Sequence, residues 1–170
     1  MRSKLTMALA VCLVMAVLLG VGAAAAPAKT FPSSTLSPAS GVWTWDYVDD
    51  GFGWDSALDG WGFSYNDAER GVWAGTFEGT SVEPWCFYVD PDGDLWALIT
   101  IHFRGKVDGR RGTADIALTV EIPNGSTEPM SGSWAVQSGT GGLKHLFGVG
   151  TWVEDVANGH GDYTGAYSLP

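Results

Sequence analysis

The stretch Leu95-Trp-Ala-Leu-Ile-Thr-Ile-His-Phe-Arg-Gly-Lys-Val107 decides the fold class. Leu95, Ala97, Ile99, Ile101, Phe103 and Val107 fall on one side of an extended chain, with Thr100, His102, Arg104 and Lys106 on the other. Alternation over this length predicts a long half-buried strand. Downstream, Ala114, Ile116, Leu118, Val120 and Ile122 repeat it against Thr113, Asp115, Thr119 and Glu121. The link Asp108-Gly-Arg-Arg-Gly112 predicts a tight hairpin between the two. Upstream, Val89-Asp-Pro-Asp-Gly-Asp94 predicts another, with Pro91 starting the turn and Gly93 accepting positive φ.

Working outward, Trp43–Val48, Trp61–Asn66, Arg70–Phe77, Val82–Val89, Met130–Gln137, Phe147–Glu154 and Tyr163–Leu169 also read as strands. No stretch of this body keeps apolar residues at helical spacing over three turns, and most of the chain's 24 glycines fall in it and oppose helices. Eight or nine short antiparallel strands predict an all-β sandwich or closed barrel. The 170 residues suffice for one domain with a sizeable core and not for two ordinary ones.

The N-terminus reads as an address. Arg2 and Lys4 precede an uncharged apolar run from Met7 to Gly22, and Ala23 to Ala26 supply small residues for a signal peptidase. Cleavage after Ala25 fits, with Ala28 as a second position and an uncleaved anchor as the alternative. The expected organisation is a signal peptide over 1–25, a tether over 26–41 and a β-barrel domain over 42–170. The expected location is secreted or in the cell envelope.

Removing residues 1–25 leaves 7 basic against 19 acidic residues, a net charge of −12. Such a balance gives no footprint for nucleic acid and repels anionic membrane surfaces, so neither partner is expected after cleavage. Cys86 would then stand alone and reads as a small buried hydrophobe.

Several longer motifs carry a resemblance. They are Trp73-Ala-Gly-Thr-Phe-Glu-Gly-Thr-Ser81, Gly105-Lys-Val-Asp-Gly-Arg-Arg-Gly-Thr-Ala-Asp115, the Ser138-Gly-Thr-Gly141 turn inside Trp134–Trp152, and Gly161-Asp-Tyr-Thr-Gly-Ala-Tyr-Ser-Leu169. Together they resemble a bacterial family of unknown function whose fold is related to the allene oxide cyclase and dirigent barrels. The resemblance covers about Trp61 to Leu169 and implies a single antiparallel β-barrel of about eight strands. It implies no catalytic residue. The related barrels are often oligomeric, which leaves a homo-oligomer open.

Other motifs carry little chemistry. The Gly-rich run from Ser138 to Gly150 lacks phosphate-loop spacing and reads as a turn at a barrel end. Asp90, Asp92 and Asp94 alternate as calcium ligands do, but Leu95 and Ile101 stand where an EF-hand needs Gly and Glu. Asp46, Asp49, Asp50, Asp55 and Asp59 read as a solvated acidic loop. His102, His145 and His160 have no metal-ligand spacing, so neither metal nor cofactor is expected. Glu78 and Glu83 are the first acid–base candidates for any enzyme reading.

The aromatics are the unusual feature. Nine Trp occur, and Trp61 alternates with Phe63, Trp73 shares a face with Phe77, and Trp85 alternates with Phe87. Inside a barrel, Trp61, Phe63, Trp73, Phe77, Trp85 and Phe87 would line an apolar site for a small hydrophobic or aromatic ligand. The plain alternative is an interior filled by its own side chains. A cyclase- or isomerase-like enzyme is the second functional expectation. A carbohydrate- or envelope-binding protein using exposed Trp is the third.

Overall fold

A computed structural model shows the alternation closing into a barrel. The structure describes residues 36–47, 52–54, 61–64, 69–155 and 158–170, with side chains except at 45–47, 52–54, 61–64, 69 and 85. The expected signal segment and most of the acidic loop lie outside the described residues. Eleven strands run through the described residues: β1 (Ser37–Tyr47), β2 (Phe52–Trp54), β3 (Trp61–Ser64), β4 (Glu69–Gly75), β5 (Phe77–Val82), β6 (Trp85–Val89), β7 (Leu95–Val107), β8 (Arg110–Ile122), β9 (Met130–Gly141), β10 (Phe147–Asp155) and β11 (His160–Ser168).

Eight of them form a ring in the order β1-β4-β5-β7-β8-β9-β10-β11, with β11 returning to β1 and every pairing antiparallel. β6 follows β5 along the same edge of β7, and β3 and β2 pair outward from it. Ring closure removes sheet edges, and an eight-stranded ring has an interior just wide enough for side chains to fill.

The β7–β8 hairpin is tighter than expected. Val107 pairs with Arg110, so Asp108 and Gly109 alone make the turn, with φ of 50° and 74°. Two left-handed residues match the right-handed twist of the flanking strands. Tyr167 donates to Asp108 Oδ2 at 2.6 Å and helps to fix that backbone.

Two expected strands are divided. Arg70–Phe77 breaks at Thr76, where Gly75 takes φ +113° and the chain reverses from β4 into β5. A Cβ there would lie 2.5 Å from the Ser40 carbonyl oxygen, so only glycine fits. Val82–Val89 breaks at Glu83-Pro84, because Pro84 has no N–H for a ladder. Its carbonyl still accepts from Thr100 N–H at 3.2 Å. β1 starts at Ser37, inside the stretch read as a tether, because Ser37 to Ser40 pair with Tyr167 to Thr164 of β11.

The wall has two kinds of inner surface. β7 and β8 turn Ile99, Ile101, Phe103, Ile116 and Leu118 inward, as their alternation predicts. On β1, β4 and β10 the inward residues are Trp43, Trp73 and Trp152 alternating with glycine, while Val42, Val72, Val149 and Val153 face outward. Those glycines, and Gly161 on β11, make room for rings from other strands. A Cβ on Gly161 would stand 2.4 Å from Trp43, and one on Gly150 2.6 Å from Trp134. At one end of the barrel the β9–β10 turn drops Leu143 and Leu146 inward as a plug. The other end carries polar groups.

Candidate functional site

The inward phase of β5 runs Phe77, Gly79, Ser81 and continues to Glu83, just beyond the last strand residue. The inward phase of β10 runs Gly148, Gly150, Trp152, Glu154. Both phases end at the barrel end opposite the leucine plug. Glu83 is 2% exposed and Glu154 3%, so two carboxyl groups are enclosed in a barrel otherwise lined by rings and aliphatics. Burial of this kind is costly for an ionised group and rare without a compensating charge.

Among the described residues a side-chain hydrogen bond reaches Glu83. The Trp73 indole N–H donates to Ser81 Oγ at 2.8 Å, and Ser81 in turn donates to Glu83 Oε1 at 2.6 Å. Among the described residues neither Glu83 nor Glu154 makes an ion pair. Burial pushes the Glu83 carboxyl up to about 7, with the Ser81 hydrogen bond pulling weakly the other way. Glu154 is also pushed up to about 7, first by burial and then by the Glu83 charge. Two carboxyls that feel each other lose their protons in steps that belong to the pair. Near neutral pH such a pair offers one protonated acid and one carboxylate, the equipment for general acid–base work.

Below the pair, the interior is full. Trp43 stacks on Trp73 with ring centroids 5.1 Å apart, and Trp73 meets Phe77, Phe103 and Tyr163 at 6.2, 6.1 and 5.3 Å. Trp134 closes on Phe77 and Tyr163. The cavity left among these rings measures about 10 Å³, room for no more than one water.

Of the aromatics expected to line a ligand site, Trp73, Phe77 and Phe87 are buried. Trp73 and Phe77 touch within the ring cluster, while Phe87 sits on β6 opposite Ala97. Trp61 and Phe63 lie on β3, in register with Tyr88 and Cys86, and Trp85 pairs with Ile99; their side chains are outside the described set. Glu78 is a correction. The phase that turns Phe77 inward turns Glu78 outward, where it pairs with Lys106 at 2.9 Å. The partner of Glu83 was not legible: Glu154 lies next to the last residue of β10, a strand whose valines suggest the opposite phase. The signal available was Trp152, two residues earlier on the same face.

The remaining motifs resolve as local structure. Asp90 Oδ1 accepts from the backbone N–H of Asp92 and Asp94, and Asp94 Oδ1 from that of Asn124. The alternating acids thus serve the turn itself. Leu143 fills the glycine turn, with its carbonyl 2.1 Å from where a Gly139 Cβ would stand. His102 is on the outer wall, 2.8 Å from Asp115, which also accepts from Ser138 at 2.7 Å. Both contacts hold the Asp115 carboxyl below its ordinary value, His102 the more strongly.

No protein-family model matches the chain, and no curated protein matches it. Among solved structures it is similar to a protein of unknown function from the DUF3224 family of Shewanella oneidensis MR-1, with a TM-score of 0.58 and 15% identity. The match covers 80% of this chain and 98% of the other. This likeness is one of fold: a barrel shared with an uncharacterised family.

Proposed function

We propose that this is an exported β-barrel protein that takes a small, largely apolar molecule at its Glu83–Glu154 end and moves a proton on it, as a cyclase or isomerase does. The relationship to allene oxide cyclase-like barrels suggested by the sequence motifs belongs to this reading. One observation carries it: two glutamates without an ion-pair partner among the described residues, buried together at one end of an apolar barrel. Buried acids of this kind cost stability and cluster at functional sites. The packed rings leave no ligand-sized space in the middle, so the ligand belongs at the glutamate end, where β6 and β3 extend the wall.

The chemistry follows from the pair. One carboxylate takes a proton from the carbon next to a carbonyl while the other carboxyl gives its proton to the carbonyl oxygen. The substrate becomes its enol, and the pair exchanges its charge without net change. Incubation with a panel of apolar ketones in D₂O tests this, with Trp emission reporting binding. Deuterium should enter a bound ketone near pH 7 and stop doing so in both Glu83→Gln and Glu154→Gln. Binding without exchange would leave a ligand carrier. Failure of the whole panel to bind would remove the reading.

A further inference from the structure

A different feature occupies the outer wall, independent of the glutamate pair. After the signal segment only 7 basic residues remain, and five of them (Arg104, Lys106, Arg110, Arg111 and Lys144) fall between positions 104 and 144. Three line one groove. Arg104, Lys106 and Arg111, with Glu78, Thr80 and Thr113, line a shallow, open groove of about 560 Å³ on the outside of β5, β7 and β8. Register explains the gathering. Glu78, Lys106 and Arg111 form one rung across the three strands, and Thr80, Arg104 and Thr113 form another. Between them lies a rung of glycines, Gly79, Gly105 and Gly112. These glycines keep the inward phase of Phe77 and Ser81, so on the outer face only their backbone lies between the two rungs.

We propose that this groove binds an acidic oligosaccharide, one carrying carboxylates on its sugar rings. Among the described residues Arg104 and Arg111 make no ion pair, so two guanidinium forks are available for carboxylates. Thr80, Thr113 and Glu78 supply donors and acceptors for sugar hydroxyls. Glu78 opposes a densely charged polyphosphate but suits a chain that alternates hydroxyl with carboxylate. The three-strand span is about 10 Å at the usual ~4.8 Å strand spacing, the reach of two or three sugar units. The overall negative charge is no obstacle at short range, since physiological salt screens charges beyond about 8 Å. Bases would find no ring to stack on, because no aromatic lines the groove.

The test is calorimetric titration of the full chain with a galacturonate tetramer, its methyl ester, and vesicles containing anionic lipid. The tetramer should bind saturably, weaken with salt, and lose at least tenfold in affinity in Arg104→Ala/Arg111→Ala. Arg70→Ala, which removes one charge on β4 away from the groove, should leave affinity within twofold, and Arg104→Ala alone should cost more than it does. Glu78→Gln should tighten binding several-fold by releasing Lys106. Four results overturn the proposal: no saturable binding of the tetramer at millimolar concentration, equal binding of its ester, equal loss in Arg70→Ala, or tighter binding to the vesicles.

Discussion

Gly71 leaves the space that Glu83 occupies. A Cβ on Gly71 would stand 2.7 Å from Glu83 Oε1 and 2.3 Å from Ser81 Oγ, and it would crowd the Trp73 indole nitrogen at 3.2 Å. One absent side chain on β4 therefore makes room for the hydrogen-bonded trio of Trp73, Ser81 and Glu83.

Gly71→Ala should accordingly disturb the glutamate end more than its size suggests. The expected cost is about 1–3 kcal/mol, the usual range for overpacking a filled interior. Val72→Ala, one residue along and facing solvent, should stay within about 0.5 kcal/mol. Urea denaturation of both variants checks the contrast, and equal costs would mean that the trio tolerates the extra methyl.

The glutamates set a pH dependence with a definite sign. Unfolding returns Glu83 from about 7 to its ordinary 4.5, so between those values the native state holds a proton that the unfolded chain releases. Stability should fall as pH rises through this window, level off above it, and be untouched below 4.5. For Glu83 alone the loss is on the order of 3 kcal/mol. Glu83→Gln keeps the shape and removes the charge, so it should be more stable than the parent at pH 8.5 and lose much of the slope. Thermal melts from pH 4 to 9 read this directly, and a stability maximum at pH 8 would contradict two buried carboxyls.

Tyr163 ties the ring cluster to the turn between β4 and β5. Its hydroxyl accepts from the Phe77 backbone N–H at 2.9 Å, in space left by Gly41. Burial pushes that hydroxyl up to about 12, so it should stay protonated through pH 10 in an absorbance titration. Tyr163→Phe strands a buried N–H and should cost about 1–3 kcal/mol, while Tyr163→Trp should not rescue it.

How much of this was legible follows from what each strand buries. β7 and β8 bury aliphatics and expose polar residues, so alternation alone placed Ile101, Phe103, Ile116 and Leu118 in the core. β1, β4 and β10 obey the same two-residue period with glycine and Trp inside and valine outside. Hydrophobicity there points the wrong way, so the pattern assigns Glu154 to the outer face. Glu83 is legible as a residue to test, but its burial depends on the break at Pro84, which alternation over Val82–Val89 does not reveal. The packing of Trp43 against Trp73 joins β1 to β4 at Cα partners 30 residues apart, and no local pattern encodes that distance.

Two indoles of the same cluster should respond differently to the same change. Trp134 donates its N–H to the Thr164 carbonyl at 3.0 Å, whereas Trp152 Nε1 is buried without a hydrogen-bond acceptor among the described residues. Replacing either by Phe removes similar volume and opens a similar cavity. Trp134→Phe also removes a hydrogen bond to the Thr164 carbonyl oxygen, while Trp152→Phe removes an N–H that has no acceptor among the described residues. Trp152→Phe should therefore be the milder change by about 1 kcal/mol, given the net worth of one such bond. Denaturant unfolding of the pair decides it: a costlier Trp152→Phe would mean that its N–H has a partner at the glutamate end of the barrel.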